Sequence, residues 1–335
     1  MIGMVRPKHR LLLSALLLAC LGLALACPRH EEPDEEDEVH PFVVDGKVVG
    51  ALVTPPLPDL DFAGGAPSLS FFALGDTGWG GVPLADNAAA MERSAAQRPV
   101  DLVLLLGDNF YRSGADSLAD VRWHTEFESA FSGPHLQVPF YAVLGNHDHH
   151  GDPDVEIEYT KHSTRWRMPA RWYTFVRELP GGGEVQFFAL DTQAVHKGES
   201  FAGLRLQSWL EDELKKSKAR WKIVFGHHPA LSNGVHGGTD ELVEDIAPLF
   251  EEYGVDLYLS GHDHDLQILK SSAGWLQVVS GTGSSTRDTS YGPGTLFATA
   301  SVGYAWVGID AHEMWVEIAT ARDGPQFRWK VEKSE

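Results

Sequence analysis

Short, unbroken apolar runs recur along the chain from residue 69 onward, and each ends abruptly in polar residues. Runs of this length are typical of β-strands that are covered on both faces. All are rich in Val, Leu, Phe and Tyr; with the polar residues that follow, the six are LSFFALGD (69–76), DLVLLLGD (101–108), PFYAVLGNHD (139–148), VQFFALDT (185–192), WKIVFGHH (221–228) and VDLYLSGHDH (255–264). They predict a set of buried strands.

Segments with helical spacing lie between several of these strands. Their apolar residues recur at every third and fourth position, which predicts helices over residues 84–97, 118–131, 204–216 and 241–253. Alternating strands and helices indicate an α/β layered domain. Farther on, the strand-like runs WLQVVSG, YAWVGID and MWVEIAT follow one another without helices between them. The whole pattern predicts two mixed sheets packed face to face with helices outside.

The first 67 residues lack this alternation. Residues 1–26 combine a basic start, an apolar run shorter than the ~20 residues of a spanning helix and small residues at the end, which predicts a signal peptide. Cys27 follows directly, as in bacterial lipoproteins that carry a lipid on this cysteine; simple cleavage and secretion is the alternative. Residues 27–67 contain an acidic run and many Pro and Gly residues. They predict an extended tether before a domain at residues 68–335.

Composition limits the partners of this chain. Apolar residues make up 43% of the 335 residues, enough for a substantial core. The formal net charge of -20 disfavours nucleic acid and anionic lipid, so membrane association is expected only through a lipid on Cys27. The one other cysteine, Cys20, lies in the signal peptide, so neither an intrachain disulfide nor a thiolate metal site is expected.

Five of the six runs end in Gly followed by Asp, Asn or His. Ligands of α/β sheets gather beyond the carboxyl ends of the strands, so these side chains are expected along one rim. Each motif alone is an ordinary strand exit, and each histidine alone an ordinary surface residue. Together their carboxylate, imidazole, amide and phenol groups suit transition metals. They exceed the needs of one ion and predict two ions that share a bridging carboxylate, bound by Asp76, Asp108, Tyr111, Asn146, His227, His262 and His264.

These motifs resemble the calcineurin-type metallophosphoesterases, and the tyrosine of Gly107-Asp108-x-x-Tyr111 narrows the resemblance to purple acid phosphatases of the small, tartrate-resistant type. The likeness covers most of residues 69–285, through GDNFY, GNHDHHG, RWRMPARWYTF, FFALDT and SGHDHDLQ. It implies a four-layer αββα sandwich. It also implies a dinuclear centre: Fe(III) bound by Asp76, Tyr111 and His264, a bridging Asp108, and Fe(II), Zn(II) or Mn(II) bound by Asn146, His227 and His262.

Two positions depart from the animal enzymes of this family. Thr77 stands where a bulky aromatic residue is usual, and His228 where tyrosine often follows the metal-binding histidine. Neither is an expected ligand, so the departures bear on substrate fit more than on metal binding. The protease-sensitive loop and the cysteine pair of the animal proteins have no evident counterpart here.

A dinuclear centre of this kind hydrolyses phosphate esters by attack of a metal-bound hydroxide in line with the ester oxygen. His147, next to Asn146, is the first candidate to protonate the leaving group. Asp148 either supports the His147 imidazolium or bonds local backbone as a turn residue. His236 resembles a substrate-contacting histidine of the family, or is a plain loop residue. His149 and His150 either line the rim or lie in solvent.

The leading hypothesis is an exported acid phosphatase, periplasmic or on the cell surface as a lipoprotein, otherwise secreted. It would act on phosphate monoesters of small molecules or phosphoproteins, as a monomer. A phosphodiesterase or nucleotide hydrolase on the same metals is the nearest alternative, because pocket walls rather than ligands set that choice. A non-catalytic surface binding lipoprotein with a vestigial site is another alternative, and the retention of all seven ligand-type residues argues against it. A purely structural lipoprotein would leave the rim motifs unexplained.

Overall fold

The computed structural model describes residues 57–62, 65–196 and 200–334. Strands form where all six apolar runs predict them, because each run buries its side chains on both faces. The strands are β1 Leu69–Leu74, β2 Leu102–Leu105, β3 Phe140–Ala142, β4 Trp166–Arg167, β5 Tyr173–Glu178, β6 Glu184–Ala189, β7 Trp221–Phe225, β8 Leu257–Ser260, β9 Leu266–Lys270, β10 Leu276–Ser280, β11 Thr295–Thr299, β12 Gly303–Ile309, β13 Glu313–Thr320 and β14 Gly324–Glu332.

The α-helices are α1 Gly81–Gln97, α2 Pro153–Tyr159, α3 Gln193–His196, α4 Phe201–Lys216 and α5 Ala247–Tyr253. The helices predicted over residues 84–97 and 204–216 are confirmed as α1 and α4. Single 3₁₀ turns lie at Pro134–Leu136 and Asp148–His150.

Two predicted helices are interrupted. Residues 241–253 divide into a π-helical turn, Leu242–Ile246, and α5, because Pro248 has no N–H for the helical ladder. Within residues 118–131 the helical part is the π-turn Trp123–Glu128. Just before it, the Asp120 carboxylate accepts the main-chain N–H of Arg122 at 2.9 Å, a local bond that competes with helix.

The strands form two mixed sheets of seven strands each, in the orders β14-β13-β12-β1-β2-β3-β4 and β11-β9-β10-β8-β7-β6-β5. In the first sheet β1, β2, β3 and β4 run parallel; in the second β6, β7, β8 and β10 do. Parallel neighbours end at the same edge of a sheet. The polar residues after β1, β2 and β3 therefore meet, as do those after β7 and β8.

The two sheets pack face to face with helices outside. Between the sheets, the rings of Phe71 and Phe187 meet edge to face with centroids 5.4 Å apart. On the outer face of the second sheet, leucines of α4 and hydrophobic residues of α5 pack against β6, β7 and β8. On the outer face of the first sheet, α1 contacts β12, where the Tyr304 hydroxyl donates to the main-chain oxygen of Ala90 at 3.5 Å. The predicted four-layer αββα sandwich is confirmed.

The N-terminal predictions fall mostly outside the described residues. The signal peptide, Cys27 and the acidic run belong to residues 1–56. Within the predicted tether, Phe62 is buried in the core. Its ring packs closely on β12, where a Cβ added to Gly308 would lie 3.0 Å from the Phe62 ring. In the described part of the chain, no helix combines the length and the apolar character needed to cross a bilayer.

Candidate metal centre

The strand exits lie so close together that two of them require glycine. A Cβ on Gly145 would lie 2.1 Å from Oδ1 of Asp108, and a Cβ on Gly261 would lie 2.4 Å from Oδ2 of Asp76. The main-chain N–H of Asp76 donates to Gly107 at 2.9 Å, which joins two of the exits. The glycines before the predicted ligands therefore make room for the side chains of neighbouring exits.

A first group of predicted ligands surrounds the Tyr111 hydroxyl. Its oxygen lies 2.9 Å from Oδ1 of Asp76, 2.7 Å from Oδ2 of Asp108 and 3.1 Å from Nε2 of His264. Asp76 and His264 are themselves 3.2 Å apart. All four side chains are buried. Three oxygen donors and one nitrogen donor thus face one point.

A second group lies on the other side of Asp108. Nε2 of His227 is 2.9 Å from Oδ1 of Asn146 and 3.3 Å from Nδ1 of His262, and this Nδ1 is 3.2 Å from the same Asn146 oxygen. Oδ2 of Asp108 lies 3.4 Å from Nε2 of His227. Because the same oxygen contacts Tyr111 in the first group, Asp108 stands between the two groups. The structure brings all seven predicted ligands together.

Hydrogen bonds orient the two buried histidines among the predicted ligands, His227 and His264. Nδ1 of His227 contacts the main-chain oxygen of Leu106 at 2.9 Å, so it carries the proton that donates there. Nδ1 of His264 contacts the Ser285 hydroxyl at 2.7 Å. Both contacts direct Nε2 toward the centre of the site, as is usual for histidines that bind metals.

The electrostatics of the site favour a bound cation. Burial, with Asp108 and Asp76 beside it, raises the pKa of Tyr111 well above its ordinary value, so phenolate requires a positive counter-charge. Burial alone would raise the pKa of Asp108, but the charge and hydrogen bond of His227 hold it well below its ordinary value. Burial alone would lower the pKa of His227, yet Asp108 raises it to about 9. Metal ions fit this set of donors.

Three of the ligands have left-handed backbone. The φ angles of Asp76, Asp108 and His262 are 59°, 51° and 70°. Aspartate and histidine tolerate this region better than most residues, but each such position still costs on the order of 1–3 kcal/mol. Strain of this kind concentrates at functional sites, and here it coincides with the ligands.

His147 lies at the mouth of the site. Its ring meets Tyr111 edge-on with centroids 4.5 Å apart, and its main-chain N–H donates to Oδ1 of Asp108 at 3.0 Å. Nδ1 contacts the main-chain oxygen of Arg112 at 2.9 Å. Nδ1–H therefore donates to that carbonyl oxygen, which leaves Nε2 for a substrate.

Asp148 is buried and holds the turn that carries Asn146. Its carboxylate accepts the main-chain N–H groups of Gly145, Asn109 and Phe110 at 2.8 to 3.1 Å, and the Asn109 side chain at 3.2 Å. Burial, and then the charge of Asp108, raise the pKa of Asp148 to about 6. The bond to Gly145, three residues earlier, fits the turn-residue alternative, whereas Asn109 and Phe110 belong to the segment that follows β2.

His236 lies against the second ligand group. Its ring is 4.6 Å from that of His262 at an interplanar angle of 31°, and its main-chain N–H donates to Asp263 at 2.8 Å. Nη1 of Arg287 contacts Nε2 of His236. Since arginine only donates, this His236 nitrogen accepts. Burial, and then the charge of Arg287, lower the pKa of His236, in agreement with a neutral ring.

The two remaining candidate histidines differ in their surroundings. His149 is half-buried, with Nε2 at 2.8 Å from Oδ1 of Asp191. His150 is exposed, and its ring lies 5.6 Å from that of His147.

His228, one of the departures from the animal enzymes, is buried behind His262. The Thr192 hydroxyl accepts the main-chain N–H groups of His227 and His228 and lies 2.8 Å from Nδ1 of His228. The Thr192 hydroxyl therefore donates its own hydrogen to Nδ1 of His228. The His228 ring packs 4.6 Å from that of His262. His228 supports a ligand from behind.

The other departure is Thr77, which stands where a bulky aromatic residue is usual, and an aromatic residue lies close to it in the chain. Trp79, two residues later, stacks on Tyr111 with ring centroids 4.8 Å apart and an angle of 11°. Sequence reasoning also missed Asp263, whose carboxylate accepts the His236 N–H and the Ser232 hydroxyl. Its place between two predicted ligands was the available signal.

The raised pKa of His227 predicts pH-dependent metal binding. Imidazole ligates only when neutral, so below about pH 9 a bound Zn(II) displaces one proton from His227. We expect Zn(II) affinity to rise up to about tenfold per pH unit from about pH 6 to 8. Calorimetry in buffers of different ionisation enthalpy measures the protons released. Replacement of the exposed His312 by Gln is the control, and it should leave this pH dependence unchanged. Affinity that does not change with pH would remove His227 from the ligands.

Comparison with known proteins agrees with this geometry. The family model described as calcineurin-like phosphoesterase matches residues 69–266. Tartrate-resistant acid phosphatase type 5 of Homo sapiens is 37% identical over 259 residues, which cover 70% of this chain and 78% of that protein. Purple acid phosphatase 17 of Arabidopsis thaliana is 35% identical over 237 residues, which cover 65% of this chain and 70% of that protein.

Solved structures share the fold. GAP50, the anchor in the inner membrane complex of Plasmodium, has a TM-score of 0.73 at 23% identity, over 80% of this chain and 89% of that chain. Purple acid phosphatase PPD1 from yellow lupin (Lupinus luteus) has a TM-score of 0.62 at 16% identity, over 79% of this chain and 55% of that chain. At these identities the likeness shows the fold alone. The matched family model and the curated relatives go further, and the chain belongs to the calcineurin-like phosphoesterase family, on its purple acid phosphatase branch.

Proposed function

We propose that this chain is an acid phosphatase that hydrolyses phosphate monoesters on a dinuclear metal centre. The observation that carries the proposal is the position of Asp108. Its Oδ2 lies 2.7 Å from the Tyr111 hydroxyl in one ligand group and 3.4 Å from Nε2 of His227 in the other. A carboxylate placed in this way suits two ions at bridging distance. The curated relatives are named acid phosphatases, which supports the same activity here.

The two ligand groups differ in a way that suits two different ions. Phenolate and carboxylate are hard anionic donors, and we assign Fe(III) to the group around Tyr111. Amide and imidazole donors are neutral, and we assign Fe(II), Zn(II) or Mn(II) to the group around Asn146. When bound, the cations offset the charge of the phosphate and lower the pKa of the attacking water.

The chain's own residues complete the reaction. In this proposal Nε2 of His147 gives a proton to the leaving oxygen, while its Nδ1–H bond to the carbonyl of Arg112 fixes the ring. In the same proposal His236, whose ring lies beside that of His262, contacts the phosphate. Asp148 keeps Asn146 and His147 in place through its main-chain bonds. Its role is positioning.

Export belongs to the same proposal. The basic start, apolar run and small residues of residues 1–26 support a signal peptide, and Cys27 supports a lipid anchor on the cell surface or in the periplasm. The substrates would be phosphorylated small molecules or phosphoproteins, and the enzyme a monomer. The mass of the N-terminal peptide after export distinguishes a lipid on Cys27 from simple cleavage, and a retained leader would refute both.

The activity is tested with paired substrates on metal-loaded protein of measured metal content. We expect turnover of phenyl phosphate at acidic pH, slower turnover of the corresponding bis-ester, and loss of both in Asp108→Asn. Asp212→Asn, an exposed change on α4, is the matched control. Faster turnover of the bis-ester would make the chain a phosphodiesterase. Absence of turnover with both metals bound would favour a binding protein.

Tyr111→Phe separates colour from hydrolysis. Phenolate bound to ferric iron absorbs visible light, so we expect the iron-loaded protein to be coloured and the variant to lose the band. Asp76, Asp108 and His264 remain, and part of the activity should persist. Tyr291→Phe, at an exposed tyrosine, should keep the spectrum. A variant that binds iron with an unchanged spectrum would show that Tyr111 is not the ligand.

His147→Gln tests the proton donor through leaving groups. A poor alkoxide leaving group needs protonation, while nitrophenolate leaves almost unaided. We therefore expect kcat for an alkyl phosphate to fall by about 10²–10⁴-fold and kcat for para-nitrophenyl phosphate to fall much less. His312→Gln serves as the surface control. Equal losses on the two substrates would exclude this role for His147.

A further inference from the structure

Arg287 is connected to both groups of metal ligands, to one by its main chain and to the other through His236. The main-chain N–H of Arg287 donates to the main-chain oxygen of His264 at 2.7 Å, so the residue starts next to a ligand of the first group. At the other end, Nη1 of Arg287 contacts Nε2 of His236, whose ring lies 4.6 Å from that of His262 in the second group. The main chain of Arg287 is therefore bonded to a ligand of the first group, and its guanidinium lies at His236, which packs against a ligand of the second.

We propose that Arg287 binds the phosphate group of the substrate, together with His236. This inference rests on the proposed function. Arginine carries five N–H donors in a planar fork that matches two phosphate oxygens, so His236 and a phosphate share one guanidinium. A positive side chain is the more significant here because the protein carries a formal net charge of -20.

The contact with His236 is not needed to hold the loop that carries this histidine. Gly234 pairs with Thr289 as an isolated β-bridge. Asn233 accepts both the main-chain N–H of Ser290 at 3.2 Å and its hydroxyl at 2.9 Å. His236 itself is held by its main-chain bond to Asp263. The loop keeps these bonds when the Arg287 side chain is removed.

Two other arginines near the site have different contacts. Arg171 forms an ion pair with Asp154 at 2.9 Å and lies 3.8 Å from Asp191. The guanidinium of Arg112 lies over the Trp79 ring, 5.9 Å from its centroid. Arg287 is the one of these three that contacts the candidate substrate histidine.

The proposed contact also favours monoesters over diesters. A monoester carries up to two negative charges and three terminal oxygens, whereas a diester carries one charge and two such oxygens. A guanidinium beside the metals stabilises the more highly charged group more strongly. Arg287 would therefore contribute to substrate selection as well as to affinity.

Arg287→Gln, Arg287→Lys and the control Arg322→Gln test the proposal. Arg322 lies at the exposed turn between β13 and β14, where its side chain is 91% exposed. The measurements are calorimetric binding of inorganic phosphate to metal-loaded protein, and kcat and KM for phenyl phosphate and its bis-ester. For Arg287→Gln we expect phosphate affinity to fall roughly 10- to 100-fold, the loss of a charged hydrogen bond. KM for the monoester should rise by a similar factor.

The remaining expectations separate binding from loop structure. Lys should restore part of the phosphate affinity, the bis-ester KM should change little, and Arg322→Gln should match the wild type. Unchanged phosphate affinity in Arg287→Gln with both metals bound would overturn the proposal, as would equal losses on monoester and bis-ester. Phosphate binding needs no turnover. A wild type that binds phosphate through Arg287 without hydrolysis would therefore refute the proposed function and leave this inference standing.

Discussion

Three ionisable oxygen atoms meet inside this protein away from water. The Tyr111 hydroxyl lies 2.7 Å from Asp108 and 2.9 Å from Asp76, and all three side chains are buried. Such groups cannot all be ionised together unless a cation lies among them, because unpaired buried charge is strongly unfavourable. The raised pKa of Tyr111 expresses this constraint. The surrounding structure holds these groups together, so a bound cation stabilises their ionised forms.

The support around the ligands consists mostly of buried polar contacts to main chain. Asp148 joins the exits of β2 and β3 by accepting N–H groups from Asn109 and Gly145. Thr192 binds the main chain after β7 and orients His228 behind His262. Buried hydrogen bonds of this kind hold strained backbone, such as the positive φ of His262, that isolated turns would not keep. The site is thus preorganised by bonds that join neighbouring strand exits within each sheet.

Charge explains how a strongly acidic protein accommodates phosphate. Its net charge of -20 repels anions at long range, but this effect is screened by salt within about 10 Å. At short range, cations bound by the two ligand groups and, in our proposal, the guanidinium of Arg287 would reverse the sign of the potential. The attraction is therefore confined to the rim of the sheets. This suits a small phosphate group better than a polyanion.

Local pattern determined much of the architecture. Unbroken apolar runs are a property of neighbouring residues, so β1, β2 and β7 were predictable, and the rule that parallel strands end at one edge predicted convergence of Asp76, Asp108 and His227. The division of the ligands between two metals came from resemblance to a family. Pattern failed where one residue overrode its neighbours, as at Pro248, which interrupts a helical repeat.

Tertiary structure alone decided the contacts between segments distant in the chain. Trp79 and Tyr111 stack, and Arg287 reaches His236, although nothing in either loop's sequence encodes the partner. The sequence left two roles open for Asp148, and its bonds to the main chain of Asn109 and Phe110 became visible only in the tertiary structure. Periodicity records which face of a strand or helix is buried, because burial repeats along the element. Loop contacts have no such repeat, since they depend on how the two packed sheets bring their ends together.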